Sequence, residues 1–499
     1  MTTASNSSQS GPRDIIDESG TALAARIRAG EVSSREVVDA HIACIEAVNP
    51  AINAVVAERY EAARAEADAA DAALASTPVD QLPPFHGVPC TIKETFAFGG
   101  MPNTGGLLAR KGTTADADAV TVRRFREAGA IPLGVTNVSE LAMWMESVNK
   151  VYGRSKNPYN QERLVGGSSG GEGAIIGAGA SPFGLGSDVG GSIRGPCFFN
   201  GIFGHKATGG MIPNSGQYPA LYARHIKMLT AGPMSRHAED LMPLLRILAG
   251  PDGEDAGCVP MELGDPEGVS FEGRTLITVP DNGKIKVSDD LMEAQQRAAD
   301  ALAKRGMKVK EMRFRALEKQ FDIWSATIGN ERDEPFGNML KEGRRMFPML
   351  ELLKMSVGQS DHTIMAVLTA LVEPVPDLLP KLNAKLVKMR DQLRAELLDE
   401  LGDGGMMLYP VYPTPAPKHG VPVWQSLILR MPFAYQGIIN ALEMPATAVP
   451  LGLNDEGLPL GTQVIAAHGN DHLTIAAAME LEREFGGWVR PTIASGDKT

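Results

Sequence analysis

The chain has 499 residues, 43% hydrophobic and 22% charged, close to the average for folded globular proteins, which excludes wholesale disorder and collagen- or mucin-like repeats. Lys and Arg number 48 against 60 Asp and Glu, and a net charge of −12 leaves no broad phosphate-binding surface, so nucleic acid is not expected as a partner. Four dispersed cysteines, Cys44, Cys90, Cys197 and Cys258, form no C-x-x-C pair. They suit neither a disulfide scaffold nor a zinc site and point to a reducing, cytoplasmic setting.

Residues 1–20 open with a small, polar stretch that has no signal-peptide core, and they read as a mobile tail. No later apolar run approaches the ~20 residues of a membrane span. From Thr21 to Asn49 the pattern is helical: Ser33 and Glu36 have capping-box spacing, Val38, Ile42 and Ile45 share a face, and Asn49-Pro50 ends the run. Residues 57–75, rich in Ala, Glu and Asp, predict a second helix. Val88 to Lys93 and Ile131 to Val135 read as short buried strands, with a helix over Ala119 to Ala128 between them that Gly129 closes. Strand, helix and strand in series predict an α/β layer.

Between Gly166 and Gly216 there are 17 glycines in 51 residues, against 54 in the whole chain. Such density predicts loops in which the backbone takes positive φ or approaches something closely, a rigid site built from main chain. Beyond it, Thr275 to Val279 predicts a strand, Asp290 to Lys304 a helix closed by Gly306, and Val309 to Arg313 a further strand. Residues 318–400 are mainly helical. There Ile364, Val367, Leu368, Leu371 and Val372 form an apolar stripe, and Met346, Met349, Met355 and Met365 lie close by, which fits core packing or a Met-lined cap over an apolar pocket. Strands at Met406 to Tyr409, Ala446 to Leu451 and Thr462 to Ala466, then a helix over Leu473 to Phe485, complete the chain. With no internal repeat and no clean linker, one α/β body over residues 21–499 is expected.

Several motifs fail on context. Gly184 and Gly186 begin a dinucleotide fingerprint whose third glycine falls at Gly190, one residue late, and Gly204-His205-Lys206 breaks a Walker pattern. His468 and His472 are separated by a turn and helix cap, so no metal or other cofactor is implied, and His205 reads as a packed imidazole. Gly166-Gly167-Ser168-Ser169-Gly170 matches G-x-S-x-G, but the polar, proline-broken segment 157–163 replaces the strand that a nucleophile elbow requires.

A better nucleophile lies in Ser187-Asp188-Val189-Gly190-Gly191-Ser192-Ile193-Arg194. Here a strand-like Pro182 to Gly186 leads into two glycines whose N–H groups can converge on an oxyanion. Upstream, Lys93 ends an apolar strand, so its ammonium is drawn into low dielectric. Asp188 reads as a loop-bracing acceptor, and Glu94 and Glu172 are given no chemistry.

These pieces, Gly87 to Glu94, Gly166 to Gly173 and Ser187 to Arg194, with Phe203 to Lys206, Ala446 to Val449 and Gly461 to Gln463, resemble the amidase signature family of Ser-Ser-Lys hydrolases. Met143-Trp144-Met145 through Ser155, with Phe198 to Phe203, is most similar to its fatty-acid-amide-hydrolase-like branch. The resemblance implies the amidase signature fold, a single body with a central mixed, twisted sheet flanked by helices and a signature core at 80–250. It implies Ser192 as acyl-forming nucleophile, Ser168 as bridging serine, Lys93 as base, and the N–H groups of Val189, Gly190, Gly191 and Ser192 as oxyanion hole. Ser169 and Arg194 would support the loops, Met143, Trp144 and Met145 would line the substrate pocket, and Gly167-Ser168 would be cis. The expected partner is a small amide with an apolar or aromatic acyl group; aryl esters and carbamates, and a second copy of the chain, stay open. Two other readings remain: a glutamine-hydrolysing subunit of an aminoacyl-tRNA amidotransferase, and a non-catalytic binding protein on the same scaffold.

Overall fold

The computed structural model describes residues 15–220, 226–331, 334–374, 378–427 and 431–492. In chain order the strands are β1 (Val55–Glu58), β2 (Pro89–Lys93), β3 (Ile131–Thr136), a small separate hairpin of β4 (Val148–Asn149) and β5 (Gly153–Arg154), β6 (Phe183–Asp188), β7 (Phe203–Lys206), β8 (Thr230–Ser235), β9 (Thr275–Thr278), β10 (Lys308–Glu311), β11 (Met406–Tyr409), β12 (Ala446–Leu453) and β13 (Pro459–Ala466). Eleven of them form one mixed sheet in the order β1-β3-β2-β6-β8-β7-β12-β13-β11-β9-β10. The centre is antiparallel, from β6 through β8, β7, β12 and β13 to β11, whereas β3, β2 and β6 run parallel, as do β11, β9 and β10. The expected single body with a mixed, helix-flanked sheet is present.

Helices cover the sheet with the apolar faces that their sequences carry. Val38, Ile42 and Ile45 of helix Ser34–Ile52 are buried in one core cluster with helix Gly170–Gly177. Helices Leu241–Leu248, Asp289–Lys304 and Asp471–Phe485 pack into a larger one. Among the described residues no helix is long and apolar enough to cross a membrane. The four cysteines are buried and unpaired.

Three sequence expectations are revised. The helical run from Thr21 splits into Gly20–Arg28 and Ser34–Ile52, because Gly30 turns at φ +68° and the Ser33–Glu36 capping box starts a new helix. That second helix continues through Pro50, since Asn49 Oδ1 accepts the N–H groups of Ala54 and Val55 and Asn53, at φ 48°, closes the last turn on the Asn49 carbonyl. The glycine-rich segment is not mainly loop: it contains two helices and two strands, and much of its glycine serves close approach, as at Gly171, where a Cβ would lie 2.4 Å from the Asn137 amide nitrogen. Of the expected tail, residues 1–14 lie outside the described residues, while Ile15 and Gly20 are buried.

β2 and β6 are parallel neighbours, with Thr91 opposite Gly184 and Ile92 opposite Leu185. Parallel pairing brings their carboxyl ends to one edge, the usual place for a site in an α/β sheet. Lys93 ends β2 there, and Ser187 and Asp188 end β6.

Candidate active site

Lys93 is fully buried, with Nζ 2.7 Å from Ser168 Oγ and 2.9 Å from Ser187 Oγ. Removing an ammonium from water disfavours its charge, and burial pushes the amine down to about 7 against the opposing pull of Asp188 and Glu172. Glu172 is also fully buried; burial pushes its carboxyl up to about 8 despite hydrogen bonds from the Thr91 and Thr136 hydroxyls.

The Gly167-Ser168 peptide is cis. Ser147 holds this turn by donating to the Ser168 carbonyl at 3.1 Å and accepting the Gly170 N–H at 2.9 Å. Ser169 joins the two serine loops: its N–H donates to the Ser192 carbonyl at 3.3 Å, and its hydroxyl donates to the Ser187 carbonyl at 3.3 Å. Ser192 Oγ makes no hydrogen bond among the described residues. It borders a narrow cleft together with Ser168 and Ser187.

Asp188 braces the turn after β6. Its carboxylate accepts the N–H groups of Gly191, Ile193 and Arg194, two guanidinium nitrogens of Arg194 and the Asn440 amide. Burial alone would raise its pKa; the Arg194 charge and these hydrogen bonds override it and hold the carboxyl well below the usual range. Arg194, also fully buried, reaches Gln463 on β13 at 2.7 Å and Asn440 on helix Ala434–Ala441 at 2.5 Å.

One expected oxyanion donor is otherwise engaged. The Gly191 N–H points at Asp188 Oδ1 at 2.6 Å, and Gly191 sits at φ +114° with Gln436 where a Cβ would be. A carboxylate three residues back in a tight turn captures that N–H, which leaves the N–H groups of Val189, Gly190 and Ser192. These three line a second cleft, which shares Val189 and Ser192 with the first, and their N–H groups have no acceptor among the described residues.

This second cleft, about 60 Å³, is walled by Met143, Trp144 and Met145, together with Phe199, Trp324 and Phe433. Met143, Trp144, Trp324 and Phe433 also border an adjoining cavity of about 530 Å³. Helices Gln320–Glu331, Ile364–Val372 and Pro380–Leu401 of the 318–400 region line it. The apolar stripe of that region is divided: Val367 is core, Leu368 and Val372 face the cavity, and Ile364 and Leu371 are exposed. Ser147, Ser187, Trp324 and Gln436 escaped the sequence reading. Ser187 and Ser147 lie inside quoted motifs and carried a signal; Trp324 and Gln436 are brought in by the fold.

The Amidase family model matches residues 36–475. Fatty-acid amide hydrolase 2-B of Danio rerio is 44% identical over 494 residues, covering 96% of this chain and 91% of the relative. Fatty-acid amide hydrolase 2 of Homo sapiens is 44% identical over 499 residues, covering 96% and 92%. The crystal structure of a bacterial aryl acylamidase of the amidase signature family superimposes with a TM-score of 0.79 at 21% identity, covering 97% of this chain and 99% of that one, a likeness of fold. The chain belongs to the amidase signature family and is a serine amidohydrolase acting on amide C–N bonds.

Proposed function

We propose that this enzyme hydrolyses amides bearing apolar acyl groups, by a Ser192–Ser168–Lys93 relay and an acyl-enzyme. The observation that carries the reading is the dry Lys93 amine, 2.7 Å from Ser168 Oγ, beside a cleft that Ser168 and Ser192 both border. An exposed lysine would be neutral in about one molecule in 2,500 at pH 7; at a pKa of about 7 half of the molecules hold the free base. Ser192 Oγ attacks the carbonyl carbon as its proton passes to Ser168 Oγ and the Ser168 proton passes to Lys93 Nζ. The tetrahedral oxyanion rests against the N–H groups of Val189, Gly190 and Ser192. Lys93 returns a proton through Ser168 to the departing nitrogen, which leaves as neutral amine. Water then attacks the acyl-enzyme along the same route and releases the carboxylic acid.

The acyl side follows from the cavity. Its wall beside the cleft is Met143, Trp144, Trp324 and Phe433, and the charged residues Lys319, Asp322, Glu334 and Glu373 are a small part of a mainly apolar lining. This supports an apolar acyl group over glutamine, whose ammonium and carboxylate would need charged partners beside the cleft. A fluorophosphonate is expected to label Ser192, located by mass spectrometry, with Ser192→Ala abolishing both labelling and anilide hydrolysis. A label on Ser168 or Ser169, or an unlabelled protein, overturns the assignment. Ammonia release from glutamine only in the presence of partner subunits, without anilide hydrolysis, would favour the amidotransferase reading.

A further inference from the structure

Two consecutive peptides of the turn after β6 are held by their carbonyl oxygens. Asn440 Nδ2 donates to the Asp188 carbonyl at 3.0 Å, and the Trp324 indole Nε1–H donates to the Val189 carbonyl at 2.9 Å. Trp324 is the sole donor to that oxygen among the described residues. The cis bonds among the described residues are Gly167-Ser168 and Tyr218-Pro219, so the Val189–Gly190 peptide is trans. In a trans peptide the C=O and the N–H point in opposite directions. A hydrogen bond that fixes the Val189 oxygen on the indole side therefore aims the Gly190 N–H to the other side.

The indole has little freedom to choose another orientation. A Cβ on Gly190 would lie 3.1 Å from Trp324 Cζ2, and one on Gly437 would lie 3.0 Å from Cδ1, so the ring occupies a slot between two glycines. Phe433 packs on it edge-on, 5.2 Å between centroids at 86°. Trp324 belongs to helix Gln320–Glu331, which also walls the large cavity. The residue thus joins the helical region over the acyl cavity to the backbone that faces the reacting carbonyl.

The geometry points to Trp324 as a positioning residue, whose indole N–H holds the Val189 carbonyl so that the Gly190 N–H is directed at the oxyanion. This rests on the Ser192 reading above. Deleting an oxyanion donor outright typically lowers the rate ~10²–10³-fold, whereas here the donor stays and loses its tether, so a fall of about tenfold is expected. Trp324 is also a wall of the cleft, and the test must separate the N–H from the ring.

The experiment installs a benzothienylalanine at position 324, which keeps the bicyclic shape and replaces N–H by sulfur, alongside 5-fluorotryptophan, which keeps the N–H, and Trp324→Phe. Readouts are kcat and KM for a long-chain anilide, the affinity of a trifluoromethyl ketone that forms an oxyanion on Ser192, and that of the matching uncharged carbinol. The expected result is a roughly tenfold lower kcat for the benzothienyl variant, with KM and carbinol affinity within about twofold. Ketone affinity falls in step with kcat/KM, and 5-fluorotryptophan, which keeps the N–H, loses clearly less than the benzothienyl variant on both readouts. Unchanged kcat and ketone affinity in the benzothienyl variant, or equal losses of ketone and carbinol affinity, overturn the inference. Ser192→Ala separates the two claims: if it abolishes turnover while the benzothienyl variant is unaffected, the tether alone fails, and if it remains active the underlying relay fails with it.

Discussion

Burial places the Lys93 amine at about 7, and the sign of its effect on rate follows directly. In the proposed relay the base is the neutral form, which predominates above pH 7 and falls about tenfold per unit below it. kcat/KM for an anilide is therefore expected to rise with unit slope up to about pH 7 and to level off on the alkaline side; an optimum near pH 5 would contradict a lysine base. On the proposed relay Lys93→Ala removes base and acid together, and a loss of ~10²–10⁴ is expected on amides. Ester leaving groups need less protonation, so the loss on a p-nitrophenyl ester of the same acid should be smaller, and equal losses would refute the acid role. Lys93, Ser168 and Ser192, the residues of the proposed relay, could be singled out because each sits in a contiguous motif with its own local logic. Trp324 and Gln436 carry no such mark, since what makes them part of the site is a neighbour more than a hundred residues away in the chain.

The turn joining β6 to helix Arg194–Phe199 is stabilised by one buried ion pair with a full set of hydrogen bonds, Asp188 with Arg194. Removing one partner leaves a charge buried and unmatched, which typically costs ~3–5 kcal/mol. Arg194→Met is accordingly expected to lower the unfolding free energy measured by urea denaturation by an amount of that order and to depress activity by disordering residues 189–192. Stability within about 1 kcal/mol of the parent would show that the turn is held by other means. Most helices and strands were legible, because hydrophobic period and caps are local: the Ser33–Glu36 box begins a helix where the spacing placed it. β7 and β8 were not called out as strands. Both lie in the antiparallel centre of the sheet, where burial on both faces and Gly or Pro content erase the alternation that marks a half-exposed strand.

The cavity over the site is assembled from parts far apart in sequence, Met143 and Trp144 on one side and helices of the 318–400 region on the other. Each methylene of an acyl chain that leaves water there contributes ~0.8 kcal/mol, so kcat/KM should climb roughly threefold to fourfold per carbon until the space is filled. Leu368→Trp, which fills part of the cavity, is expected to lower kcat/KM for long-chain anilides by tenfold or more while leaving the acetyl anilide within about twofold. Equal effects on both would place the acyl group elsewhere. Composition, local period and three short motifs were enough to settle the fold class and the family and to single out the side chains of the proposed relay, because these depend on neighbours within a few residues. Which backbone N–H groups remain free, which carbonyls are tethered and how large a space adjoins the nucleophile were decided by packing. The Gly191 N–H is lost to Asp188, and the Val189 carbonyl is held by an indole from a distant helix. Such contacts leave no period or spacing in the chain, and they come into being only when the sheet closes and the helices settle on it.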